Sequence, residues 1–97
     1  MALFVVKHQH PAERCPARDP QMGAMLLDHL TEENARRNGV DIQGEAVIDG
    51  QHTLYVILEA ENQGKVDDFM RPFSMAGSVE VMAASPCADV VARRGCA

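Results

Sequence analysis

Asp49-Gly50 lies between two runs with strand character, Val40 to Ile48 and His52 to Ala60. This dipeptide favours tight turns whose twist matches that of paired antiparallel strands. The middle of the chain is therefore expected to be a β-hairpin. Its second run carries Thr53-Leu54-Tyr55-Val56-Ile57-Leu58, largely apolar, as suits a central strand. Its first run alternates Asp41, Gln43 and Glu45 against Ile42 and Val47, which suits an edge or one-sided strand.

Each side of the hairpin supplies one more strand and one helix. Leu3 to Val6 is a continuous apolar run inside a strand from Ala2 to Gln9. Strand alternation puts Phe4, Val6, His8 and His10 on one face. Pro11, Pro16 and Pro20 make the next segment a loop. A helix follows over Gln21 to Asn38, with Gly39 as its terminating glycine. Thr31-Glu32-Glu33-Asn34 can act as a fresh cap, so a break near Thr31 is expected. Asn62 caps a second helix over Gln63 to Phe73 that turns Val66, Phe69 and Met70 to the core. Gly77 to Ala84 reads as the last strand.

The order strand, helix, strand, strand, helix, strand is the ferredoxin-like α+β plan, βαββαβ. Right-handed crossovers give a four-stranded antiparallel sheet of order 4-1-3-2 with two helices on one face. Residues 1–84 form this domain, and residues 85–97 form a C-terminal tail. The uncovered sheet face carries apolar side chains, and a homodimer is the usual way to cover such a face.

A net charge of −5 argues against nucleic acid and against an anionic membrane surface. Arg36-Arg37 and Arg93-Arg94 are the only basic clusters, and each is too short to track a phosphate backbone. An acidic balance leaves a cation as the more natural partner. No apolar run approaches the ~20 residues that span a bilayer. The opening Met-Ala-Leu-Phe-Val-Val-Lys-His lacks the form of a signal peptide, so a cytoplasmic location is expected. Three cysteines, an odd number, are not a disulfide framework and suit free or ligating thiols.

Val66-Asp67-Asp68-Phe69-Met70-Arg71-Pro72-Phe73, followed by Gly77-Ser78-Val79-Glu80-Val81, resembles the last helix and strand of small dimeric α/β-barrel proteins. Within them it is similar to short uncharacterised families, one of which includes a nickel-binding protein. The resemblance implies a ferredoxin-like fold and a dimer whose sheets face each other. Members of the superfamily include cofactor-free monooxygenases, haem-degrading enzymes, lactone isomerases and ligand-binding regulators, so the resemblance leaves the function open. No catalytic residue of these families maps onto a position here.

The segment richest in chemistry is His8-Gln9-His10-Pro11-Ala12-Glu13-Arg14-Cys15. Histidines two apart on a strand point the same way, about 6 to 7 Å apart, and can converge on one ion. Cys15 follows on a loop that can fold back as a soft third ligand. A metal site of His8, His10 and Cys15 suits zinc, nickel or copper and disfavours magnesium and calcium, which want oxygen. The plainer reading makes both histidines polar strand-end residues and Cys15 a small buried hydrophobe.

Sheet order brings Glu59 and Glu80 towards His8 as extra ligands or as acceptors for an imidazole N–H, and leaves His52 at the opposite end as a hairpin residue. Met22 and Met25 could offer sulfur, but their helical spacing reads as core. His29, with Tyr55 or Glu80, could do acid–base work in a cavity above the sheet; otherwise it is a hydrogen-bonded core residue. Cys87 and Cys96 read as unconnected free thiols, with shared ligation or a disulfide as alternatives.

The expected function is a small homodimeric transition-metal-binding protein. The alternatives are a cofactor-free dimeric-barrel enzyme acting on a small organic molecule, and a non-catalytic ligand-binding module.

Overall fold

A computed structural model describes residues 1–97. The strands are β1 (Ala2–Gln9), β2 (Val40–Ile48), β3 (Thr53–Ala60) and β4 (Ser78–Ala84). The helices are α1 (Pro20–His29), α2 (Glu32–Arg37), α3 (Gln63–Ser74) and α4 (Cys87–Ala92). The strands form one antiparallel sheet of order β2-β3-β1-β4. This is the expected order 4-1-3-2 counted from the other edge, and it is compatible with the ferredoxin-like plan.

One sheet face carries the core. Phe4, Val6 and His8 of β1 alternate inward, and Leu58, Val56 and Leu54 of β3 meet them in register, with Ala60 buried beyond them. Helix α3 closes over this face with Val66, Phe69, Met70 and Phe73, all buried at i, i+3, i+4 and i+7. Burying side chains of this size is worth about 2 kcal/mol each. Asn62 starts the helix by accepting the Lys65 amide at 3.1 Å. Pro72 falls in its last turn.

The first helix divides as its sequence suggests. Asp19 caps α1, accepting the amides of Gln21 at 2.9 Å and Met22 at 3.5 Å. Thr31 caps α2, accepting the Asn34 amide at 3.2 Å. Gly39 ends α2 with φ +80°, a conformation that suits glycine. Only Ala35 of α2 is buried, and α1 buries no residue at all.

Three local features differ from expectation. The hairpin connection is the four residues 49–52, with Gly50 at φ +76° and His52 at φ +50°, and β3 begins at Thr53. Strand β2 shifts register between Ile42 and Gly44, so the extra Gln43 reconciles its patchy alternation with the core. The loop after β1 contains two short 3-10 turns, Ala12–Arg14 and Pro16–Arg18, and the tail contains α4.

The other sheet face is open. One row across it reads Gly44, Ile57, Val5, Met82, and the next reads Ala46, Tyr55, Lys7, Glu80. Ile57 and Met82 are exposed. No helix is long and apolar enough to cross a membrane.

Candidate metal centre

The end of β1 delivers two histidines to one place. His8 faces inward and is 2% exposed. His10, just past the strand, lies on the same side, with ring centroids 5.3 Å apart. Gly77 lets the start of β4 approach: a Cβ there would run into the Gln9 carbonyl oxygen and sit 2.8 Å from the His10 Cα.

This approach fixes the tautomer of both rings. The Ser78 carbonyl lies 3.0 Å from His8 Nδ1. A carbonyl can only accept, so His8 Nδ1 carries the proton and, in the neutral ring, Nε2 keeps its lone pair. That Nε2 lies 3.3 Å from His10 Nδ1. His10 Nδ1–H therefore donates to it, and the free lone pair of His10 is on Nε2. His10 Nε2 is buried and has no hydrogen-bond partner. Burial lowers the pKa of His8 below 6.5, opposed by the Ser78 bond and assisted by the nearby His10. Burial also lowers that of His10, with a smaller contribution from His52. Both rings are thereby held neutral, the form in which imidazole ligates a metal.

Cys15 joins from the loop. It sits between the two 3-10 turns, its amide bonded to the Ala12 carbonyl at 3.3 Å and its carbonyl accepting Arg18 N–H at 3.2 Å. Pro16 behind it favours the extended conformation observed, φ −62° and ψ 113°. The thiol is free and half-buried.

The third member is His52. The antiparallel pairing of β1 with β3 matches Gln9 to Thr53, and the His10 amide donates to the His52 carbonyl at 3.2 Å. The His10 and His52 rings are 5.2 Å apart, edge to face. One donor atom from each of His10, Cys15 and His52 lies within 4.8 Å of the other two. This corrects the placement of His52 at the far end of the sheet. The antiparallel order itself is the signal that finds it, because the end of β1 must meet the start of β3. His8 stays outside this group and supports His10 instead.

The same register removes the two carboxylates. Glu59 pairs with Leu3 at the opposite end of β1, and Glu80 pairs with Lys7 on the open face. Tyr55 also pairs with Lys7 on the open face, away from His29. His29 is tied down: Nε2–H donates to the Phe69 carbonyl at 2.7 Å, Asn34 Nδ2 lies 3.5 Å from Nδ1, and the ring stacks on Phe69. It is a hydrogen-bonded packing residue that also lines a cavity, as expected, but without Tyr55 or Glu80 beside it. Cys87 and Cys96 are free and exposed. They follow β4, which ends beside Leu3, at the other end of the sheet from His10.

Beside Cys15 lies a cavity of about 900 Å³ between the loop, α1 and the end of α3, whose lining includes His8, Cys15, Met22, Met25, His29 and Met75. Met22 and Met25 are exposed and are not core, which corrects the helical-stripe reading. Leu26 and Leu30 of the same stripe do pack against the core, while Met22 and Met25 line this cavity.

A scan against protein-family models matches none, and a search of curated proteins returns no match. Neither comparison adds support to the resemblance to a nickel-binding family.

Proposed function

We propose that the protein is a small homodimeric transition-metal-binding protein whose ligands are His10, Cys15 and His52, with zinc, nickel or copper as its ion. The buried, unpartnered Nε2 of His10 carries this reading. An unsatisfied buried acceptor costs about 1–3 kcal/mol, and a metal ion would use that lone pair. Tetrahedral ligands at bond lengths of 2.0–2.3 Å stand roughly 3.3–3.7 Å apart. Donors within 4.8 Å need only a small contraction to reach that arrangement. Two imidazoles and a thiolate suit borderline and soft ions, and three protein ligands leave a position open. His8 takes the supporting role, since its bond to His10 Nδ1 orients the ligand ring. Exposed Ile57 and Met82 in the apolar row of the open face support the homodimer, in the facing-sheet arrangement of dimeric α/β barrels.

Elemental mass spectrometry of the untagged protein tests this, beside a His10→Ala/His52→Ala variant. The expected result is near-stoichiometric metal in the first and background in the second. Background metal in the native protein, even after reconstitution with zinc, nickel and copper, overturns it.

A second reading rests on the cavity, whose size and largely apolar walls suit a small organic molecule. It is favoured if metal-free protein binds apolar organic acids and His10→Ala/His52→Ala binds them equally well.

A further inference from the structure

Three of the six methionines line a single cavity, and all three are exposed. Met22 is 47% exposed, Met25 64% and Met75 82%, so packing does not account for them. Met22 and Met25 are three apart on α1, a helix that buries nothing, and so share one of its faces. Met75 comes from a different element, just past the end of α3. Cys15 is the one residue shared by the methionine-lined cavity and the group with His10 and His52.

The chemistry of sulfur narrows the ion. A thioether is a neutral, soft, weak ligand. It suits Cu(I) and gives little hold on Zn(II) or Ni(II), which imidazole and thiolate take readily. Its unbranched side chain rotates easily and can follow a moving ion.

The geometry points to Cu(I) as the ion, and to Met22, Met25 and Met75 as a thioether path that delivers it to Cys15. This rests on the metal reading of His10, Cys15 and His52. Delivery is ligand exchange. Copper–thioether bonds break as bonds to the Cys15 sulfur and the imidazole nitrogens form. The Cys15 thiol proton passes to solvent, and copper stays Cu(I) throughout.

The test is anaerobic transfer of Cu(I) from its bicinchoninate complex, followed by loss of that complex's colour, with Zn(II) uptake as control. A Met22→Leu/Met25→Leu/Met75→Leu variant keeps apolar bulk and removes only sulfur. The expected result is a tenfold or greater fall in the Cu(I) transfer rate, a final Cu(I) affinity within threefold, and an unchanged Zn(II) rate. Transfer at the native rate overturns the path, as does equal slowing of both metals. Native protein that takes Zn(II) but not Cu(I) overturns this inference and leaves the metal site standing. Native protein that takes neither overturns both. If the leucines disturb folding, global replacement of methionine by norleucine removes the sulfurs with little change of shape, and the same outcomes apply.

Discussion

His10 Nδ1 lies 3.3 Å from His8 Nε2, and this bond decides which nitrogen of His10 is free. The Ser78 carbonyl fixes the proton on His8, His8 fixes the proton on His10, and the last lone pair is left bare among neighbouring donors. His8→Phe keeps an aromatic ring against Phe73, 5.3 Å away in the native protein, but removes the acceptor. Metal affinity is expected to fall about 10- to 100-fold with all three proposed ligands intact. Competition titration against a chelator measures it. An unchanged affinity would mean that the relay does not orient the ligand.

His52 has φ +50°, a left-handed conformation that costs a non-glycine residue roughly 1–2 kcal/mol. Asn, Asp and His enter it more readily than most. His52→Gly is expected to stabilise the metal-free protein by about 0.5–1 kcal/mol while lowering metal affinity at least tenfold. Chemical denaturation and metal titration of the same sample separate the two effects. A variant both less stable and fully metal-competent contradicts the assignment of strain and ligand to this residue.

Much of this arrangement was legible in the residues. Asp49-Gly50, the apolar runs of β1 and β3 and the caps Thr31 and Asn62 marked the elements and their order. Two-residue alternation placed His8 and His10 together, and Cys15 on the proline-rich loop came back to His10. His52 was misplaced although the antiparallel order already sets the start of β3 against the end of β1, where the register pairs Gln9 with Thr53. The methionines misled for a different reason. Helical spacing reports a shared face, but it does not say whether that face meets a sheet or a cavity. Tautomers were beyond sequence reading altogether, since they depend on a carbonyl of β4 seventy residues away from His8.

Burial keeps His8 and His10 neutral in the folded protein, while the unfolded chain protonates them near 6.5. Between that value and their lowered native values the unfolded state holds more protons, so stability rises with pH. Metal-free protein is therefore expected to lose stability progressively as pH falls below 6.5. Denaturant unfolding from pH 7.5 to 5 gives the slope. His8→Gln/His10→Gln should flatten it, and an equal slope in both proteins would assign the acid sensitivity to other groups.

Gly77 is needed for a different reason. Any side chain there meets the backbone of Gln9 and His10, which cannot rotate away as a flexible side chain could. Gly77→Ala must push β4 from β1 at the point where Ser78 holds His8. The expected cost is about 1–3 kcal/mol, with metal affinity falling in parallel. Gly95→Ala, whose Cβ meets nothing within 4 Å, is the control. Equal stabilities for the two variants would remove Gly77 from the account of the site.

The proposed dimer turns on the open face. Ile57 is 43% exposed on it, beside Val5 of β1, with Met82 one strand further. In a two-fold interface the same position occurs twice, so Ile57→Lys places two like charges in the contact. Desolvating them should weaken dimerisation by about 3 kcal/mol or more, roughly a hundredfold. His8, His10, Cys15 and His52 lie away from this face, so metal content per chain should hold. Sedimentation equilibrium of both proteins reads the first effect and elemental analysis the second. A native protein that stays monomeric at high concentration, or a variant that associates as tightly, means this face is covered by something other than a second copy.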